Sequence, residues 1–125
     1  MEVVFGGQEG DVRLDIAPSG KVDPVVIRFG PLEGAIQTTL GLDVPRLRDD
    51  LRAIVEGDTL SGSTSFESVE HDFRLRVSLE HGKGTIEGEV TTQVEPTGTL
   101  SFALTTDQSF LGATLAQLDG LLRDT

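Results

Sequence analysis

The chain has 125 residues, with 21 acidic and 10 basic side chains, a net charge of −11, and no cysteine, tryptophan or tyrosine. The lack of cysteine excludes disulfides, thiolate metal sites and cysteine nucleophiles, and the negative potential repels phosphate backbones, so no direct nucleic-acid partner is expected. Length alone predicts a single domain over residues 1–125, large enough to bury roughly two-thirds of its unfolded surface.

Glu2–Phe5 reads as a short strand closed by Gly6-Gly7, and Val12–Ile16 alternates apolar and charged residues before a turn at Pro18-Ser19-Gly20. Pro24 opens Val25–Phe29, an apolar run dense enough for a strand covered on both faces. Gly34–Leu40 follows as a fourth strand, with Ile36, Thr38 and Leu40 inward. The period then changes. Val44, Leu47, Leu51, Ile54 and Val55 form a helical stripe, with Asp43 placed to cap it, Pro45 in the first turn and Gly57 placed to stop it.

Leu60–Phe66 is a fifth strand, joined by the acidic connection Glu67–His71 to the clearest hairpin in the chain. There Phe73, Leu75, Val77 and Leu79 alternate with Arg74, Arg76, Ser78 and Glu80. A reversal through His81-Gly82-Lys83-Gly84 predicts Glu80 opposite Thr85, Leu79 opposite Ile86, Leu75 opposite Val90 and Arg76 opposite Glu89. After a turn at Glu95–Gly98, Leu100, Phe102 and Leu104 alternate again, with Val90 expected opposite Leu104 and Val94 opposite Leu100. Cap candidates from Thr106 to Ser109 then open a last helix with the stripe Leu111, Leu115, Leu118 and Leu122.

The expected fold is α+β: an antiparallel sheet of about eight strands with two helices on one face, in the order ββββα-ββββα. Thr38-Thr39 leads into the first helix as Thr105-Thr106 leads into the second. One reading is a duplicated half of about 60 residues, the other the shared grammar of strand-to-helix junctions. Two sheet edges stay free, and a homodimer could form by pairing them. No apolar run nears the roughly 18 residues of a membrane helix, and the acidic start is unlike a signal peptide, so no membrane partner and a cytoplasmic location are expected.

Candidate chemistry is sparse. His71 and His81 are separated by ten residues of extended chain, roughly 30 Å, and cannot share a metal within one subunit. Glu87 and Glu89 sit two apart on an outward face, where a carboxylate pair for hydrolysis or metal binding competes with the plainer reading of a charge ladder against Arg76. Gly82-Lys83-Gly84 lacks the spacing and the following helix of a phosphate loop, and no G-x-S-x-G or H-E-x-x-H signature is present. No catalytic residue, cofactor or metal site is expected. A protein-binding module, a carrier of small apolar ligands and a carboxylate enzyme are the three competing functions.

Leu60-x-Gly62, Phe66-x-Ser68, Phe73-x-Leu75, the return strand Gly84-Thr85-Ile86-Glu87-Gly88, Leu100-Ser101-Phe102 and above all Thr106-Asp107-Gln108-Ser109-Phe110-Leu111 give the chain its family likeness. Over residues 60–122 it resembles the WapI-type immunity proteins, protectors against bacterial polymorphic or contact-dependent toxins. The resemblance implies a non-enzymatic protein that binds a toxin domain in the producing cell and blocks its active site or substrate path. Toxins of this kind are often basic nucleases, and the −11 charge would steer a basic domain toward the protein. Charge, and not the family, nominates Glu67, Glu70, Asp72, Glu87 and Glu89 as partner contacts. Asp107 and Gln108 are expected to serve structure, as a cap and a junction contact.

Overall fold

Apolar–polar alternation folds the first forty residues into a meander of antiparallel strands: β1 (Glu2–Gly6), β2 (Gly10–Ile16), β3 (Lys21–Phe29) and β4 (Leu32–Ile36), followed by the short β5 (Leu40–Gly41), which pairs with the start of β3. The computed structural model describes residues 1–17, 19–36, 40–68, 71–92 and 98–123. Strand β3 begins before Pro24, where the sequence reading opened it. The register against β2 slips between Leu14 and Ile16, leaving an extra residue on β3 near Asp23-Pro24. A bulge suits proline, which has no N–H to give a ladder. Val22, Val25 and Ile27 are buried while, on the other face, Val26 is half-buried and Arg28 exposed, so this strand is fully covered on one face and not on both. Thr38 and Thr39, assigned to the fourth strand and to the junction likeness, lie outside the described residues.

Helix α1 (Val44–Glu56) buries all five residues of its stripe. The Asp43 carboxylate accepts from the Arg46 N–H at 3.1 Å, satisfying one of the donors left open at a helix start. The second sheet follows, from β6 (Gly62–Glu67), β7 (Phe73–Glu80), β8 (Lys83–Thr92) and β9 (Gly98–Asp107), in the spatial order β6-β7-β8-β9. Helix α2 (Gln108–Arg123) closes the chain. Asp107 accepts from the Phe110 N–H at 3.1 Å, and Gln108 Nε2 donates to the Val55 carbonyl of α1 at 3.1 Å, the cap and junction contact expected of them. The α2 stripe runs through Leu111, Thr114, Leu115, Leu118 and Leu121; Leu122 is only half-buried.

The central hairpin turns more tightly than expected. His81 (φ 51°) and Gly82 (φ 83°) are both left-handed and form a two-residue turn, so Glu80 pairs with Lys83, Val77 with Ile86, Arg76 with Glu87, Arg74 with Glu89 and Phe73 with Val90. Between β8 and β9, Val90 lies opposite Leu100 and Ile86 opposite Leu104; Val94 is outside the described residues.

One sheet of eight strands is thus corrected to two antiparallel sheets of five and four. The edges of β1 and β6 are occupied by helix side chains. On β1, the Val4 N–H donates to Gln117 Oε1 of α2 at 2.7 Å, and the Val4 carbonyl accepts from the Thr114 hydroxyl. On β6, the Ser65 carbonyl accepts from Arg46 of α1 at 3.4 Å. Each helix therefore lies against the first strand of the other half, and the two helices pack on each other. Phe5 of the first sheet meets Phe66 of the second at 5.8 Å between ring centroids, and Phe66 meets Phe73 at 6.3 Å, so both sheets share one apolar core.

Candidate functional site

Period 2 sends the polar residues of the second sheet to the face away from the core. There β6 contributes Ser65 and Glu67, β7 Arg74 and Arg76, β8 Glu87 and Glu89, and β9 Ser101 and Ala103. With Arg46 from the first turn of α1, they line an open cleft of about 890 Å³. Three arginines face three glutamates in it. The cleft is charge-balanced within a strongly acidic chain.

The ladder is unevenly engaged. Arg74 lies opposite both Glu67 and Glu89 and pairs with them at 3.5 and 3.3 Å. Arg46 is held by Asp50 at 3.1 Å as well as by the Ser65 carbonyl. Arg76 and Glu87 are cross-strand neighbours and exposed, yet neither makes a side-chain hydrogen bond or ion pair among the described residues. The next strand supplies small groups here, Ala103 opposite Glu87 and Ser101 opposite Glu89. Beneath them Gly88 is buried, because a Cβ there would run into the Phe102 ring that lies across it.

Of the residues nominated by charge, Glu67, Glu87 and Glu89 come together in this cleft. Asp72 does not line it. It sits in the turn before β7, where the Ser68 hydroxyl donates to its carboxylate and Ser68 Oγ accepts from the N–H groups of Asp72 and Phe73 at 3.1 and 3.0 Å. Glu70 lies outside the described residues. Arg46, Arg74 and Arg76 were missed as site residues, although alternation already placed Arg74 and Arg76 on the outward face. Arg46 reads in sequence only as part of the helix's wet side.

His71 and His81 flank opposite ends of β7; His71 contacts Glu67, and the His81 N–H donates to Ser61 Oγ at 3.1 Å. Among the described residues, no three His, Cys, Asp or Glu side chains are grouped to hold a metal, and no helix is long and apolar enough to cross a membrane. Outside the cleft, the Glu9 carboxyl is held below the usual glutamate range by the Thr105 backbone N–H, which donates to it at 2.8 Å and ties the β1–β2 turn to β9.

A family model described as the immunity protein WapI-like family matches residues 25–125. The chain belongs to the immunity protein WapI-like family. The match begins in β3, well ahead of Leu60, so the WapI-like region takes in most of the first half as well as the second. Every residue lining the cleft, from Arg46 to Ala103, falls inside it. Among curated proteins, none matches the chain.

Proposed function

We propose that this WapI-like protein is a non-catalytic immunity protein that acts in the cytoplasm of the producing cell, binding a cognate bacterial toxin domain and blocking it. Its toxin-facing surface is the cleft of the second sheet. Family membership supports the class of partner, and one observation supports the place: Arg76 and Glu87 stand side by side without side-chain partners among the described residues. Groups already engaged in ion pairs must lose those contacts to bind anything else, whereas Glu87 can accept a basic side chain and Arg76 an acidic one at no such cost.

Charge acts at two ranges in this reading. The net −11 draws a basic toxin domain in from a distance, an effect that salt weakens. At contact, Glu67, Glu87 and Glu89 supply the acidic groups and the arginines fix the register, with Glu70 and Asp72 on the neighbouring connection. The six charged side chains in the cleft favour a polar protein surface over a small apolar ligand.

The test is co-expression with the toxin domain encoded beside this gene, followed by purification and titration calorimetry. A stoichiometric complex with a dissociation constant of roughly nanomolar order, whose association slows as salt rises, is expected. Failure of that domain to bind, with the toxin equally active in the protein's presence, would overturn the proposal.

A further inference from the structure

The strands at the borders of the two sheets are not equivalent. The outer edge of β1 is occupied by Gln117 and Thr114 of α2, and that of β6 by Arg46 of α1. Strand β4 is short and carries Glu33, ion-paired with Arg28 at 3.8 Å. Strand β9 is tied at Thr105 but, among the described residues, has none of these protections from Thr99 to Ala103. It runs ten residues, and from Gly98 to Thr106 it contains no charged residue and no proline. Natural edges are normally blunted by such residues, because unpaired N–H and C=O groups accept another strand.

The direction of those groups follows from one end of the strand. The Thr105 N–H donates outward to the Glu9 carboxylate at 2.8 Å, and the Thr105 carbonyl accepts from the Gln8 N–H at 3.0 Å. By alternation Thr99, Ser101 and Ala103 point their backbone groups the same way, and no other hydrogen bond reaches them there among the described residues. The side chains along this edge include Leu100, which is 62% exposed, and the half-buried Phe102.

We infer that β9 is a self-pairing edge, through which two copies of this chain join antiparallel into one eight-stranded sheet. A strand pairing with itself about a two-fold axis is isologous, so centring it on Ser101 sets Thr99 opposite Ala103 and Leu100 opposite Phe102 of the second copy. That contact covers the exposed leucine with an aromatic ring. Charge selects the occupant. Two molecules of net charge −11 approach most readily over Thr99–Ala103, where neither carries a charge, whereas a basic partner finds nothing complementary on that stretch of the edge.

The test is sedimentation equilibrium of the purified full chain across a wide concentration range, with Ser101→Pro and Leu100→Lys beside the wild type. Ser101→Pro removes an N–H that the β8 ladder does not use, and Leu100→Lys places two like charges at the two-fold contact. The expected result is twice the chain mass for the wild type and the single-chain mass for both variants, each still showing wild-type circular dichroism. A wild type monomeric at every concentration would overturn the inference and leave this edge to a strand of the toxin. So would a dimer that survives in both folded variants.

Discussion

The outer faces of the two sheets carry the same kinds of residue and treat their arginines differently. On the first sheet Arg13 is clasped by Glu2 and Asp11, each at 3.1 Å, and its guanidinium is held above its ordinary pKa chiefly by the hydrogen bond to Asp11. Arg28 pairs with Glu33, and Asp15 with the N-terminal amine at 3.1 Å. On the second sheet a single arginine, Arg74, satisfies two glutamates, and that leaves Arg76 and Glu87 over. Exposed ion pairs of this sort add little to stability. Their consequence is to decide which charges remain open to a partner, which a count of charges along the chain does not reveal.

The contrast holds only if both faces belong to one cooperative body. Phe73→Ala empties a fully buried site in the ring cluster that joins the sheets, and should cost about 3–4 kcal/mol. Denaturant unfolding followed by hydrogen exchange should then show both sheets lost in one transition; separate transitions would break the comparison.

Charge reversal tests the two faces directly. Arg76→Glu should weaken toxin binding about 30-fold, or about 2 kcal/mol, whereas Arg13→Glu should change it by no more than about twofold. Titration calorimetry on both variants gives the ratio.

A glycine on each sheet sharpens the difference in packing. At Gly88 an added methyl group must displace the Phe102 ring, so Gly88→Ala should cost about 1–2 kcal/mol. At Gly34 nothing lies within 4 Å of the added Cβ, and Gly34→Ala should stay within about 0.5 kcal/mol of wild type in the same unfolding assay.

The smallest effect concerns the tie between the faces. Because the folded state lowers the Glu9 pKa, its contribution to stability is complete above the unfolded-state pKa and is lost as pH falls through the folded-state value. The Glu9 carboxyl resonance should titrate below an ordinary glutamate, and Glu9→Gln should flatten this part of the stability profile.

Much of the local structure was legible in the sequence. The five-residue stripe of α1 and its Asp43 cap are all where the 3.6-residue period puts them, because both signals depend on neighbours a few residues away. Strand faces were legible for the same reason where apolar and polar residues alternate, though not in the dense apolar run of β3. Register was not. The hairpin slipped by two residues and the β8–β9 pair by four, and even slips keep every apolar side chain on its own face, so matching of faces cannot choose among them. His81 gave no sign that it would take the left-handed conformation of a two-residue turn, where asparagine or glycine would have.

The division into two sheets was hidden for another reason. It depends on Gln117 and Thr114 reaching β1 across more than a hundred residues of sequence, and on Arg46 reaching β6. No periodicity encodes such contacts. Of the cleft, the sequence disclosed Glu67, Glu87 and Glu89 as candidate acids and Arg74 and Arg76 as outward residues of the hairpin, but not Arg46, since the bringing together of α1 and the sheet's outer face is a property of the tertiary fold.

The most direct test of the central claim is amide hydrogen exchange on the toxin complex compared with the protein alone. Binding in the cleft should slow exchange in β6, around Arg74–Arg76 and Glu87–Glu89, and at Ser101–Ala103, while leaving the first sheet unchanged. Protection confined to β2, β3 and β4, with the cleft strands exchanging as before, would contradict it.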